Sequence, residues 1–397
     1  MKNSVAYKKR IPIEELLDNP KAYLTRDVLS QTGTTVLIPS KIPIGKLSEG
    51  LDNPRRLVDT LANMGIGHID IEIPNELEDE EVLSRLKELD TSVTVIDDKV
   101  SKEAQTMVND IYASVTLDGK YSIPKQDVEQ LSGTLTNELR DVSQIAISLV
   151  ASSEDSYTQS HAVNVSLLAG YIAKKLAELG KVPADIIDKA VLAGLLFDIG
   201  KTRVPPEILN KDGKLTEEEF AKIKEHVWHS ISLCKEAGIT DKEVLDGIVS
   251  HHEKYDGSGY PSGLVGEQIP IIGRILSVAD TFDAMTSQRI YKSAVSSKLS
   301  FNFIMSANET AFDPDICQIF IAGMGVYPPG STVELSNGKI AVVIAITPGN
   351  LLQPKVTLKE GGETKIIDLA AERLFIRKSL DVEEREVPDL LAELSEG

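Results

Sequence analysis

Apolar positions change their spacing along this chain of 397 residues, and each change marks a change of architecture. From Ile11 to about Pro124 short apolar runs alternate with helical stretches. Thr34 to Ile38 reads as a strand ended by Pro39, and Arg55 to Met64 as a helix. Gly67 to Ile73 alternates polar and apolar residues at the period of two of a half-buried strand. The acidic stretch Glu76 to Glu81 predicts the opening of another helix, Val93 to Ile96 one more strand, and a helical connector follows. Residues 1–124 are thus expected to form a small α/β accessory or regulatory domain. From 125 to 325 apolar residues recur at threes and fours, as in Val165, Leu168, Ile172 and Leu176, or Ile187, Val191, Leu195 and Ile199. Such spacing puts each set on one helix face toward a shared core, and predicts a helical bundle. Beyond Tyr327-Pro-Pro-Gly330 the pattern becomes β-rich again. Asn337-Gly338 between two such runs predicts a hairpin with positive φ at both turn positions. Residues 326–380 should be a small β unit and 381–397 an acidic tail. The expected fold class is therefore multi-domain and mainly α.

Charge removes several function classes. Lys and Arg number 42 against 61 Asp and Glu, a formal net charge of −19, and such a field repels polyphosphate. DNA is not an expected partner. No window approaches the roughly 20 apolar residues of a membrane span, and Lys8-Lys9-Arg10 is followed by no apolar export segment. Cys234 and Cys317 lie far apart and read as two reduced, half-buried thiols rather than a disulfide, which suggests a cytoplasmic protein.

Histidine placement carries the chemistry. Five of the six histidines, His161, His226, His229, His251 and His252, fall in the helical region. Neutral imidazoles suit first-row transition metals, and a carboxylate such as Asp198 or Asp280 can bridge two cations. His229 instead fits the role of a cation near a helix end, and His68, alone in a strand-like run, reads as structural.

The order His161, Phe197-Asp-Ile-Gly-Lys201, His226, His251-His-Glu253, Asp256-Gly-Ser-Gly-Tyr-Pro261 and Ser277-Val-Ala-Asp280 resembles the HD-GYP domain, a bacterial branch of the HD phosphohydrolase superfamily. The similarity continues through Gly263 to Pro270, Arg274 to Leu276, Asp283 to Ser287, Arg289 and Tyr291-Lys292. It implies an HD-type helical bundle that hydrolyses cyclic di-GMP to the linear dinucleotide or onward to GMP. Position by position, it assigns His226, His251, His252 and Asp198 to one metal, and His161, Asp280 and Asp198 to a second. One or two transition-metal ions, iron, manganese, zinc or nickel, are the implied cofactors. Asp198 and Lys201 would be catalytic, Lys201 neutralising the phosphate in the transition state. Arg289 and Lys292 would grip substrate phosphates, while Gly257, Gly259, Tyr260 and Pro261 shape a loop over the site. Some relatives hold a third metal through a glutamate where this chain has Tyr157, so no third ion is expected. The family's histidine next to the metal-ligating aspartate is here Phe197, which has no lone pair. That leaves two readings: a phosphodiesterase with a reduced or asymmetric metal centre, or a degenerate module that binds cyclic di-GMP or a protein partner in signalling. A homodimer is a further expectation.

Overall fold

The computed structural model describes residues 4–29, 36–40, 42–49, 53–78, 93–94, 98–117, 123–140, 144–145, 157–211, 213–287, 297–347, 349–361 and 363–380. The chain divides into two compact units: Met1–Leu89 with Gly330–Ile344 and Gln353–Glu383, and Asp90–Pro329 with Ala345–Leu352 and Glu384–Gly397. No helix of the described residues is long and apolar enough to cross a membrane.

In the first unit β1 (Ser4–Pro12) pairs antiparallel with β5 (His68–Glu78), and β2 (Tyr23–Leu24) pairs with the other edge of β5. Ile11 faces Ile69 and Lys9 faces Ile71 in this register. Ile11, Leu16, Ile44, Leu57, Leu61 and Ile71 close a small core, with Leu57 and Leu61 supplied by the helix Arg56–Asn63. β3 (Val28–Leu29) and β4 (Val36–Ile38) form a separate ribbon. The expected helix from Glu76 is overturned over its described part: β5 runs on to Glu78, whose partner is Ser4. Cross-strand pairing there outweighs the helix propensity of the glutamates.

The same unit contains a five-stranded sheet of β8 (Thr332–Leu335), β9 (Ile340–Ala345), β10 (Lys355–Glu360), β11 (Glu363–Asp368) and β12 (Ile376–Ser379), in the order β11-β10-β9-β8-β12. The hairpin at Asn337-Gly338 is present, but only Gly338 has positive φ. A longer loop, closed by the Leu335 N–H on the Lys339 carbonyl, needs one left-handed residue rather than two.

The second unit is the helical bundle. Its core joins Tyr171, Phe197, Phe282, Phe301 and Phe320, all fully buried, with aliphatic residues from every long helix. Phe282, Phe301 and Phe320 meet with ring centroids 4.9 to 5.5 Å apart. The helix Asp98–Leu117, expected as a connector, belongs to this core through Ala104, Val108, Ile111 and Val115. Two strands of the same unit, β6 (Val93–Thr94) and β7 (Gln144–Ile145), pair in parallel. The expected strand residues Thr34 and Thr35, most of the stretch 79–97, Arg289, Lys292 and the tail 381–397 lie outside the described residues.

Candidate metal centre

Four chain segments meet at one point of the bundle. The helix Ile186–Leu196 carries Asp188 and Lys189 in its first turn but is apolar from Ala190 to Leu196, and that part runs through the core. It ends at Phe197, and Asp198 follows before a 3-10 turn, Ile199–Arg203. That turn lies against the helix His226–Glu236 so closely that a Cβ on Gly200 would meet the His226 carbonyl oxygen at 2.1 Å. The contact is tied by Ser230, whose hydroxyl accepts from the Gly200 N–H and donates to the Phe197 carbonyl, both at 2.8 Å. Asp198 is thereby fixed facing His226.

His251 and His252 follow the helix Lys242–Ser250, whose N-terminus is capped by the Asp241 carboxylate. Adjacent residues inside a helix diverge, but these two sit at its end, and their rings lie 4.0 Å apart. The carboxylate oxygen Oδ1 of Asp198 is 3.3 Å from His226 Nε2 and 4.0 Å from His251 Nε2, and the two nitrogens are 3.5 Å apart. Donor atoms from Asp198, His226, His251 and His252 all lie within 4.8 Å of one another.

These four residues fit a transition-metal ion. Ligands each ~2.1 Å from a first-row ion stand roughly 3.0 to 3.4 Å apart; the 3.3 and 3.5 Å separations match this, and the wider ones, up to 4.8 Å, close by small side-chain shifts. The Nδ1 atoms of His226 and His251 donate to the Ile223 and Ile248 carbonyls at 2.7 and 2.6 Å, which directs the Nε2 lone pairs inward. Asp198 Oδ1, fully buried, accepts no hydrogen bond. A buried carboxylate oxygen without a donor, facing two imidazole lone pairs, is a costly arrangement unless a cation completes it.

Electrostatics agree with this assignment. Burial pushes His226 down to about 4 and also lowers His251 and His252, so the three imidazoles are neutral at physiological pH. Asp198 feels burial most, but Lys201 and His226 outweigh it and hold the carboxyl below its usual range. The Lys201 ammonium donates to Asp198 Oδ2 at 2.6 Å.

His161, from the helix Tyr157–Glu178, stands beside this cluster. Its Nε2 is 3.0 Å from Asp280 and 4.0 Å from Asp198 Oδ2, and its Nδ1 is 2.7 Å from Asp283. A separation of 3.0 Å serves a hydrogen bond and equally two ligands of one ion. Burial alone would lower His161, but its hydrogen bonds to Asp280 and Asp283 raise it to about 9 in the metal-free site. Asp283 also accepts from Asn164 and Ser287, so it acts as the buckle between the helix Tyr157–Glu178 and the helix Ile271–Thr286. Phe197 fills the space between the two sets. Its ring, fully buried, meets His161 edge-on at 5.7 Å and His251 at 4.9 Å.

Above the cluster the loop from Asp256 to Val265 is held by Glu253. This buried carboxylate accepts from the Ser262 N–H at 2.7 Å and the Leu264 N–H at 3.1 Å. The Tyr260 N–H donates to the His252 carbonyl, and the Tyr260 ring stacks on the His252 ring at 4.8 Å. A Cβ on Gly259 would meet the Lys254 nitrogen at 2.2 Å, so only glycine lets the loop fold down here. Gly257 has positive φ, and Pro261 follows a cis peptide bond.

The structure thus brings together Asp198, Lys201, His226, His251 and His252, places His161 with Asp280 alongside, and sets Gly257, Gly259, Tyr260 and Pro261 over them. His229 stands apart, 3.8 Å from Glu225. Arg289, Lys292 and the Tyr157 side chain are outside the described residues. Sequence reading passed over Ser230, Glu253 and the positioning role of Asp283. Of these, Asp283 carried a signal: it falls one helical turn after Asp280 and so shares its face.

A buried histidine and aspartate cluster within a bundle of this kind defines an HD domain, and residues 119–316 match that family. The chain belongs to its HD-GYP branch, whose Gly-Tyr-Pro loop is the one closing over His252. It is 36% identical over 212 residues to a cyclic di-GMP phosphodiesterase of Pseudomonas aeruginosa, covering 53% of this chain and 50% of that protein. A cyclic di-GMP phosphodiesterase of Vibrio cholerae is 32% identical over 225 residues, with 53% and 46% covered. A 3'3'-cGAMP-specific phosphodiesterase of the same organism is 31% identical over 185 residues, with 46% and 35% covered. The chain spans about half or less of the length of these curated relatives.

Proposed function

We propose that this chain is a metal-dependent phosphodiesterase that hydrolyses cyclic di-GMP, opening the ring to the linear dinucleotide. The observation that carries the reading is Asp198 Oδ1, buried without a donor and faced by the lone pairs of His226 and His251. His226, His251, His252 and Asp198 would hold the ion. When bound, a transition metal supplies charge stabilisation at the phosphate and lowers the pKa of water to where it is a nucleophile at neutral pH.

The remaining roles fall to the protein. Lys201, 31% exposed and pinned by Asp198, presents a compact cation where charge develops on the reacting phosphate. Tyr260, stacked on His252, and the backbone at Gly257, Gly259 and Pro261 exclude water from one side and shape the entrance. Arg289 and Lys292 would grip the phosphates. Two buried cysteines without a disulfide suit a reducing, cytoplasmic setting.

The test is hydrolysis of cyclic di-GMP, followed by chromatography of the products, on protein stripped with chelator and reloaded with iron, manganese, zinc or nickel. Asp198→Asn should lose both metal and turnover. 3'3'-cGAMP run in parallel decides between the two substrate classes named for the relatives.

Phe197 favours a second reading. With a phenyl ring where an imidazole would coordinate, the His161 side of the site keeps fewer ligands, and the domain would bind the dinucleotide without cleaving it. Protein that holds metal and binds cyclic di-GMP yet shows no turnover would establish this reading in place of the first.

A further inference from the structure

Lys224 closes the helix Glu217–Lys224 and makes no ion pair or hydrogen bond among the described residues. Its side chain is half-buried, in a chain with 61 acidic and 42 basic residues. Two rings hold it in place. Its Nζ lies 4.5 Å from the centroid of Phe220 and 5.2 Å from that of Tyr260. Tyr260 in turn is stacked on His252, tilted by 27°. The ammonium therefore stands at the rim of the metal cluster, one ring beyond a candidate ligand, over two aromatic rings.

Packing does not require that charge. A cation over partly exposed rings adds only about 0.5 to 1 kcal/mol, and an unbranched apolar side chain would cover Phe220 and Tyr260 as well. The position has chemical use only toward an anion. Of the other described lysines near this centre, Lys201 is already committed to Asp198, and Lys254 lies over the Phe312 ring. A cyclic dinucleotide carries two phosphates, of which one reacts, and a cation at the edge of the site can meet the second in addition to Arg289 and Lys292.

We infer that Lys224 is a substrate-positioning residue whose ammonium takes the phosphate of the cyclic dinucleotide that is not being cleaved. The inference rests on the cyclic di-GMP reading above, and it adds a residue outside the loop and outside the metal ligands. Because the rings restrict the stem, little side-chain entropy is lost when the phosphate arrives.

The chain's single tryptophan provides the assay. Trp228 is 53% exposed and lies four residues after Lys224, so its fluorescence reports binding without turnover. Stopped-flow mixing of the metal-loaded full chain with cyclic di-GMP, read before turnover, should give a Kd about tenfold weaker for Lys224→Met, the size of one charge-assisted contact. Lys224→Arg should recover most of the loss. Lys222→Met, exposed on the same helix, should bind as the wild type does. Thermal melting should place the Met variant within a degree or two of the wild type, since its stem still covers the rings. Equal affinity of Lys224→Met and wild type overturns the inference alone. Weakened binding that Arg does not recover, with a lowered melting temperature, assigns Lys224 to packing and also overturns it. A wild type that does not bind cyclic di-GMP overturns the substrate reading and this inference with it.

Discussion

Removing the Glu253 carboxylate should loosen the loop without touching a metal ligand, and the size of the effect follows from its surroundings. The side chain is 2% exposed and accepts two backbone N–H groups, from Ser262 and Leu264. Hydrogen bonds to a charged group contribute about 1.5 to 3 kcal/mol each when both partners are buried. Ser262 is exposed and Leu264 half-buried, so both N–H groups regain water when the carboxylate is lost, and the lower end of that range applies. Glu253→Ala should therefore cost about 3 kcal/mol, including a small cavity, and Glu253→Gln about half as much, because the amide keeps one acceptor. Tyr260 and His252 share the loop's inner contact, so metal affinity should fall in the same order. Urea unfolding followed by Trp228 fluorescence measures the first effect, and competition with a metal-binding dye the second. Wild-type stability and wild-type metal affinity in Glu253→Ala would refute the argument that this carboxylate anchors the loop.

Phe197→His should raise bound metal toward two ions per chain and increase turnover of cyclic di-GMP, measured by elemental analysis and by assay at matched loading. No gain in metal content would show that the His161 side cannot bind an ion. Gly200→Ala should destabilise by more than about 3 kcal/mol, read by thermal melting, since its Cβ would stand 2.1 Å from the His226 carbonyl oxygen and 2.4 Å from the Ser230 nitrogen. In metal-free protein the histidines give opposite pH slopes. His161, raised to about 9, contributes stability that is complete below about 6.5 and lost as the pH climbs through 9. His226, lowered to about 4, costs stability as the pH falls from about 6.5 toward 4, because only the unfolded chain takes up the proton there. Denaturant unfolding across this range should show both slopes, and His161→Gln should flatten the alkaline one.

The residues that chemistry confines to a few types were legible in the sequence. Asp198, His226, His251 and His252 stand at intervals that have no meaning for a core, and the structure gathers them. The apolar stripe at 165, 168, 172 and 176 likewise became one buried face. What was missed depended on partners distant in sequence. The glutamates from Glu76 look helical until Ser4 is found opposite Glu78. The stripe Ala104, Val108, Ile111 and Val115 has the helical spacing of a core face, a signal legible in the sequence without any distant partner. Lys224 carried no signal at all, because its meaning comes from two rings brought to it by the fold.

The Ser230 hydroxyl gives residue 197 an unusual freedom. By holding the Phe197 carbonyl and the Gly200 amide together, it clamps the main chain on both sides of Asp198 and leaves the 197 side chain out of that restraint. The position behaves like a socket. On the proposed reading, an imidazole of similar shape takes the place of the buried phenyl ring while the carboxylate one residue on keeps its aim, so the number of ions held changes without re-routing the main chain.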